Sequence, residues 1–319
     1  MKKFLGVLRR HSWAFACGLT IVLFAINIAV SPSFLSPERL PTTLATLAPF
    51  VLVGFASTPA ILSGGIDVSV GPLATFINCF FVAVLLPYGL GEWYVAIPLL
   101  LLVSAAIGTV TGLLVTVARL HPVVASTGVL FVLIGLSLTI SKTPVSAPNN
   151  WSDALAKSYG WFPGAIITIG IVALAWFLLR RTAYVSNLLA TGESDISAYG
   201  SGVNVTVVRT LAYTIGGLFA GVGGVALSAL LQSSQSSLAN TYALLGLAAA
   251  VLGGTALGGG KGGLLGTFFG ALTLYLLQQL LTAFGVQSSL VQFAYGLVLV
   301  LGVLLGATLL NPRTRKARA

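Results

Sequence analysis

The chain has 319 residues, of which 57% are hydrophobic and only 7% charged, and its mean hydropathy is +1.01. A water-soluble domain carries roughly 25% charged residues, so this chain lacks the polar surface to stay in solution and the bilayer is its solvent. The net charge of +10 does not mark a nucleic-acid binder, because the basic residues fall in short connections and at the two ends rather than along one face.

A spanning helix needs roughly 20 apolar residues. Ten segments are predicted to qualify: 12–30, 42–63, 70–87, 93–117, 122–141, 163–180, 208–231, 241–258, 264–284 and 290–310. The expected fold is all-α, a polytopic integral membrane protein forming one transmembrane domain over residues 1–319. Lys2 and Lys3 ahead of the first segment have the look of a signal peptide, but no small-x-small cleavage site follows near Val30. Ala14-Phe15-Ala16-Cys17 lies too close to Arg10 for a lipoprotein box, so an uncleaved first helix is expected. Ser31-Pro32-Ser33 and Ser36-Pro37 then supply turn chemistry before the second segment.

Between the second and third segments stands the octet Gly64-Gly65-Ile66-Asp67-Val68-Ser69-Val70-Gly71, with the one charged residue between Leu40 and Gly91. Charge near lipid is costly and tends to mark function. Gly64 and Gly65 break a helix, and Pro72 suits the first turn of the next. Either Ser69 or Asp67 is expected to cap that helix by accepting a free backbone N–H.

Further breaks fall at Leu86-Pro87-Tyr88-Gly89, at His121-Pro122 and at Gly258-Gly259-Gly260-Lys261-Gly262-Gly263. Two longer connections stand out. Residues 142–162 hold Pro144, Pro148, Asn149, Asn150, Trp151 and Asp153, while residues 181–207 hold Glu193 and Asp195. Gly216-Gly217 and Gly223-Gly224 mark a segment whose neighbours approach closely. The stretch from Gly253-Gly254 to Gly260 faintly echoes the octet, as in transporters with internal duplication.

Orientation follows from Lys and Arg in the connections. With the N-terminus inside, Lys2, Lys3, Arg9, Arg10, Arg119, Arg180, Arg181, Arg209, Lys261, Arg313, Arg315, Lys316 and Arg318 share the cytosolic side. Arg39, Lys142 and Lys157 share the other, a partition of 13 against 3. Both termini are expected in the cytoplasm.

Several chemistries are excluded. Leu62-Ser63-Gly64-Gly65 resembles the start of the signature of transport ATPases but lies between apolar segments. Around Gly260-Lys261, Thr255 stands where a phosphate-binding loop needs Gly and Gly262 where it needs Ser or Thr, so the chain does not hydrolyse ATP. Gly258 to Gly263 with Lys261 reads either as an anion cradle or, more simply, as a hairpin. His11 and His121 have no acid or cysteine near them for a metal or a proton relay, and Cys17 and Cys79 read as small buried hydrophobes. An ion-coupled transporter needs ionisable groups in several segments, and an intramembrane enzyme needs a nucleophile–base pair; Asp67 alone supplies neither.

The amides and aromatics Asn27, Asn78, Trp176, Tyr213, Gln232, Gln278, Gln279, Gln292 and Tyr295 suit a polar, uncharged solute, although each singly also reads as glue between helices. Asn78, Gln232, Gln278, Gln292 and Tyr295 are the candidate pathway residues.

Three blocks carry a family resemblance. The first runs from Ile61 to Gly71 and is close to a Gly-Gly-Ile-Asp-Leu-Ser-Val-Gly hallmark; the second is the glycine-rich run from Val251 to Thr267. The third runs from Ala190 to Val205 and reads Glu193-Ser194-Asp195-Ile196-Ser197-Ala198 where the family usually shows Gly-Asn-Glu-Glu-Ala-Ala or similar. With these, the chain resembles the membrane permease subunit of a bacterial ATP-binding-cassette importer of the ribose or monosaccharide kind. Branched-chain amino acid and nucleoside permeases are the related alternatives.

The resemblance implies a subunit that is not an enzyme and has no cofactor, set in the bacterial inner membrane. It implies a second permease copy or homologous permease, cytosolic ATPase subunits, and a periplasmic or lipid-anchored solute-binding protein. It places the ATPase contact on Gly192, Glu193, Ser194, Asp195, Ala198 and Gly202, and makes Gly64, Gly65, Asp67, Ser69 and Gly71 the family motif. A short amphiphilic helix near 194–200, capped by Ser194 with acids at its start, suits that contact.

Overall fold

In lipid every backbone N–H and C=O must find its partner within the chain, which leaves the helix as the default for so apolar a sequence. The computed structural model describes residues 13–148, 158–159 and 162–310. The expectations for Lys2, Lys3, Arg9, Arg10, His11, Asn149, Asn150, Trp151, Asp153, Lys157, Arg313, Arg315, Lys316 and Arg318 lie outside the described residues.

The helices, in chain order, are α1 (Ala14–Val30), α2 (Leu40–Leu62), α3 (Val70–Phe80), α4 (Trp93–Thr116), α5 (Pro122–Ile140) and α6 (Ala165–Leu179). There follow α7 (Ala183–Glu193), α8 (Asp195–Gly200), α9 (Val205–Leu231), α10 (Ala239–Leu252), α11 (Leu264–Ala283) and α12 (Ser288–Leu310). A π-helical turn, Phe81–Leu85, prolongs α3. Among the described residues the extended structure is a pair of two-residue strands, β1 (Ser158–Tyr159) antiparallel to β2 (Phe162–Pro163), and a single bridge between Ser146 and Ser233.

Length and composition qualify α2, α4, α5, α9 and α11 to cross a membrane, and α6 with α7 as a sixth if their 83° bend is counted within one span. Residues 14–30, 70–85, 241–252 and 289–301 form shorter apolar helices. The predicted segment 241–258 ends earlier than expected. Helix α10 stops at Leu252, because Gly254 takes φ 82° and its N–H and that of Thr255 turn back to the carbonyls of Val251 and Ala250.

Helix α2 is the centre of the bundle: 83% of its most apolar stretch is buried, against 22% for α5. It packs against α9, α10 and α11 and less extensively against α6 and α3, while α1 leans on α11 and α12 on α10. Helix α9 runs along α4 through small residues. A methyl group on Gly108 would lie 3.0 Å from the Gly217 Cα, so the two backbones pass in direct contact.

Candidate functional site

The end of α2 sets the geometry of the octet. Gly64 adopts φ 82°, and the N–H groups of Gly64 and Gly65 donate to the carbonyls of Ile61 and Ala60, closing the helix. Gly71 must be glycine because a methyl there would collide with the Tyr242 backbone, and a methyl on Gly65 would require the Tyr213 Oη to move. The Ser126 hydroxyl donates to the Ile66 carbonyl at 3.2 Å, tying the octet to α5.

Asp67 is only 3% exposed, and its Oδ1 accepts the Ser69 N–H at 2.8 Å and the Ser69 hydroxyl at 2.6 Å. Burial pushes this carboxyl above the usual range, and the two Ser69 bonds partly offset that. Neither residue caps α3, contrary to expectation. Ser69 stands at the N-cap, but its hydroxyl is turned to Asp67 rather than to a helix N–H. Asp67 therefore locks the turn that leads into the helix.

The third block forms a turn between helices. Helix α7 ends at Glu193, and the Ser194 Oγ accepts the Ser197 N–H at 3.2 Å, capping α8 as the sequence predicts. Asp195 lies in the first turn, where a carboxylate suits the helix dipole. Ala198 faces inward, whereas Ile196 and Tyr199 are 86% and 76% exposed. Gly202, at φ 83°, ends the helix by letting Val203 N–H return to the Ala198 carbonyl.

These blocks, far apart in sequence, meet at one end of the bundle. The Gly260 N–H donates to the Leu62 carbonyl at 3.0 Å. A methyl on Gly192 would collide with that same carbonyl oxygen and with the Gly260 nitrogen, and one on Gly259 would lie 2.6 Å from the Gly64 nitrogen. Arg209, in the first turns of α9, joins the same junction: its Nη2 lies 2.7 Å from the Asp195 Oδ1 and 3.0 Å from the Ser63 carbonyl oxygen. Two of the loop's amides are not free for an anion, since the Gly259 and Gly260 N–H groups donate to the carbonyls of Ala256 and Leu62.

The pathway candidates do not form one cluster. Asn78 is fully buried; it donates to the Ser228 Oγ and the Ser233 carbonyl and accepts the Gln235 N–H, tying α3 to the chain beyond α9. Gln232 ends α9 in a left-handed conformation, its amide donating to the Ala229 carbonyl. Gln278 accepts the Tyr295 hydroxyl and Gln292 donates to the Thr241 Oγ1, linking α12 to α11 and α10. These contacts are those of interhelical glue.

Sequence reading missed Arg209 as a site residue, counting it only as an orientation signal. Its position near the start of an apolar segment was the available clue. Thr191 and Thr255 were likewise missed at the junction, and Tyr213 was noted only as one of the intramembrane aromatics; each carries a buried hydroxyl with no hydrogen-bond partner among the described residues.

The family described as branched-chain amino acid transport system / permease component matches residues 40–307. The chain is 32% identical over 294 residues to the ribose import permease protein RbsC of Escherichia coli (strain K12), covering 89% of this chain and 90% of that one. It is also 32% identical over 293 residues to the RbsC of Bacillus subtilis (strain 168), covering 90% of both chains. The D-allose transport system permease protein AlsC of Escherichia coli (strain K12) is 30% identical over 301 residues, covering 92% of this chain and 90% of that one. No solved structure matches the chain. Likeness along nearly its whole length places the chain in this family of permease components, the membrane subunits of ABC importers, which are not themselves enzymes.

Proposed function

We propose that this inner-membrane permease forms the translocation pathway for a monosaccharide or related small polar solute. It works as one of a pair, with a second copy or a homologous permease, and separate ATPase subunits energise it. The observation that carries the reading is the likeness to ribose and D-allose permeases over about nine-tenths of each chain. Helices over each of the ten predicted segments and the partition of basic residues support ten crossings with both termini in the cytosol. On this reading residues 181–207 face the ATPase, and Ile196 and Tyr199 offer it an apolar contact beside the glycine junction. A periplasmic or lipid-anchored binding protein delivers the solute from the opposite side.

The test is reconstitution in proteoliposomes. ATP-dependent uptake of ribose or another monosaccharide is expected only when the ATPase and the binding protein are both present. Accumulation by the chain alone, driven by a proton gradient, would refute the reading. Uptake of a branched-chain amino acid or a nucleoside instead would keep the importer and replace its solute. A tag on either terminus that reports from outside the cell would overturn the ten-crossing topology.

A further inference from the structure

We infer that Arg209 is a positioning residue for energy coupling: it fastens the turn that starts α8 to the end of α2, so that motion of the ATPase-facing segment is handed to the central helix. The inference rests on the importer reading above. It goes beyond that reading in naming the physical link.

The geometry carries it. A single guanidinium makes three hydrogen bonds across three elements: Nη2 to the Asp195 Oδ1 at 2.7 Å, and Nη2 and Nε to the Ser63 carbonyl oxygen at 3.0 and 3.3 Å. The charges alternate along this line. Ser63 lies at the negative end of α2, Arg209 is positive, and Asp195 is an anion in the first turn of α8. Arginine suits this role because its planar fork of donors serves two acceptors at once, which an ammonium point charge does not do with fixed geometry.

The pair does little to hold the bundle together. The Arg209 and Asp195 side chains are 21% and 50% exposed, and exposed ion pairs contribute little to stability. What the link sets is position: while it is made, a shift of the α8 turn is passed through Arg209 to Ser63, which adjoins the Gly64–Gly65 break.

The experiment measures solute transported per ATP hydrolysed in the reconstituted complex of permease, ATPase and binding protein. Arg209→Ala and Asp195→Ala are compared with the double variant. Arg209→Ala, which lies outside the ATPase contact, is expected to keep assembly and ATP hydrolysis, and in complexes matched for bound ATPase the transport ratio of each single variant is expected to fall about 10-fold, within the range of ordinary coupling energies. The double variant is expected to be no worse than Arg209→Ala, as for two residues in one linkage. Arg209→Lys, which keeps the charge but not the fork, is expected to restore only part of the ratio.

Asp195 is half exposed, so Asp195→Ala remains informative should Arg209→Ala fail to assemble. An unchanged ratio in Asp195→Ala, or losses that multiply in the double variant, would overturn the inference. A wild-type complex that transports no solute would instead count against the importer reading itself, which separates the two failures.

Discussion

Asp67 and Gly192 show how single residues govern the junction. Asp67→Asn keeps an oxygen for the Ser69 N–H and hydroxyl and removes a charge that burial disfavours. It is expected to assemble and transport near wild-type levels. Asp67→Ala leaves the N–H and hydroxyl of Ser69, itself 2% exposed, without their acceptor, at a cost of about 1–3 kcal/mol. That variant is expected to reach the membrane but transport poorly, and normal uptake by a fully assembled Asp67→Ala complex would reduce the octet to a turn. Gly192→Ala meets backbone rather than a flexible side chain, the Leu62 carbonyl and the Gly260 nitrogen. Overpacking of that sort costs about 1–3 kcal/mol, visible as a lowered Tm in detergent, since neither neighbour can swing aside. The octet's break was legible because two glycines and a following proline act locally. The role of Arg209 was not, because its Ser63 partner stands 146 residues away and no local pattern reports that contact. The partners of Asn78 were illegible for the same reason: Ser228, to which it donates, is 150 residues distant.

At the scale of the element, α8 separates stability from partnership. Ile196 and Tyr199 touch little of their own chain, so replacing both with Ser is expected to leave Tm within about 1 °C, as for surface changes of under ~0.5 kcal/mol. Binding of the ATPase subunits is expected to weaken by at least about 10-fold, because an exposed apolar and aromatic pair is what an interface buries at its centre. Co-purification of permease and ATPase checks this, and undiminished recovery would move the contact elsewhere in residues 181–207. Helix α8 was readable from sequence because Ser194, Asp195 and Gly202 are local start and stop signals. The end of α10 was not read correctly: Val251 to Gly258 is apolar enough to continue a segment, and the left-handed Gly254 that halts it looks in sequence like any packing glycine.

Across the whole molecule, the sequence prescribes which stretches are apolar but not how deep each lies. The most apolar stretches of α2 and α5 both qualify as spans, yet one is central and the other largely uncovered. That difference lies in how many neighbours each helix meets: α2 packs against α9, α10, α11 and α6, α5 chiefly against α3. A bulky side chain on the α4–α9 contact should therefore disturb the entire assembly. Gly217→Leu is expected to lower Tm and reduce recovery of folded protein, at a cost of about 1–3 kcal/mol or more. A Tm equal to wild type would mean that the two helices part easily.

The backbone contact between Gly108 and Gly217 has a mechanical corollary. Beside that contact the hydroxyls of Thr109 and Thr214, and of Thr116 and Thr210, pair across the same two helices, so α4 and α9 are expected to move as one body. On the coupling inference above, the first turns of α9, where Arg209 sits, are then the handle by which that paired body is steered.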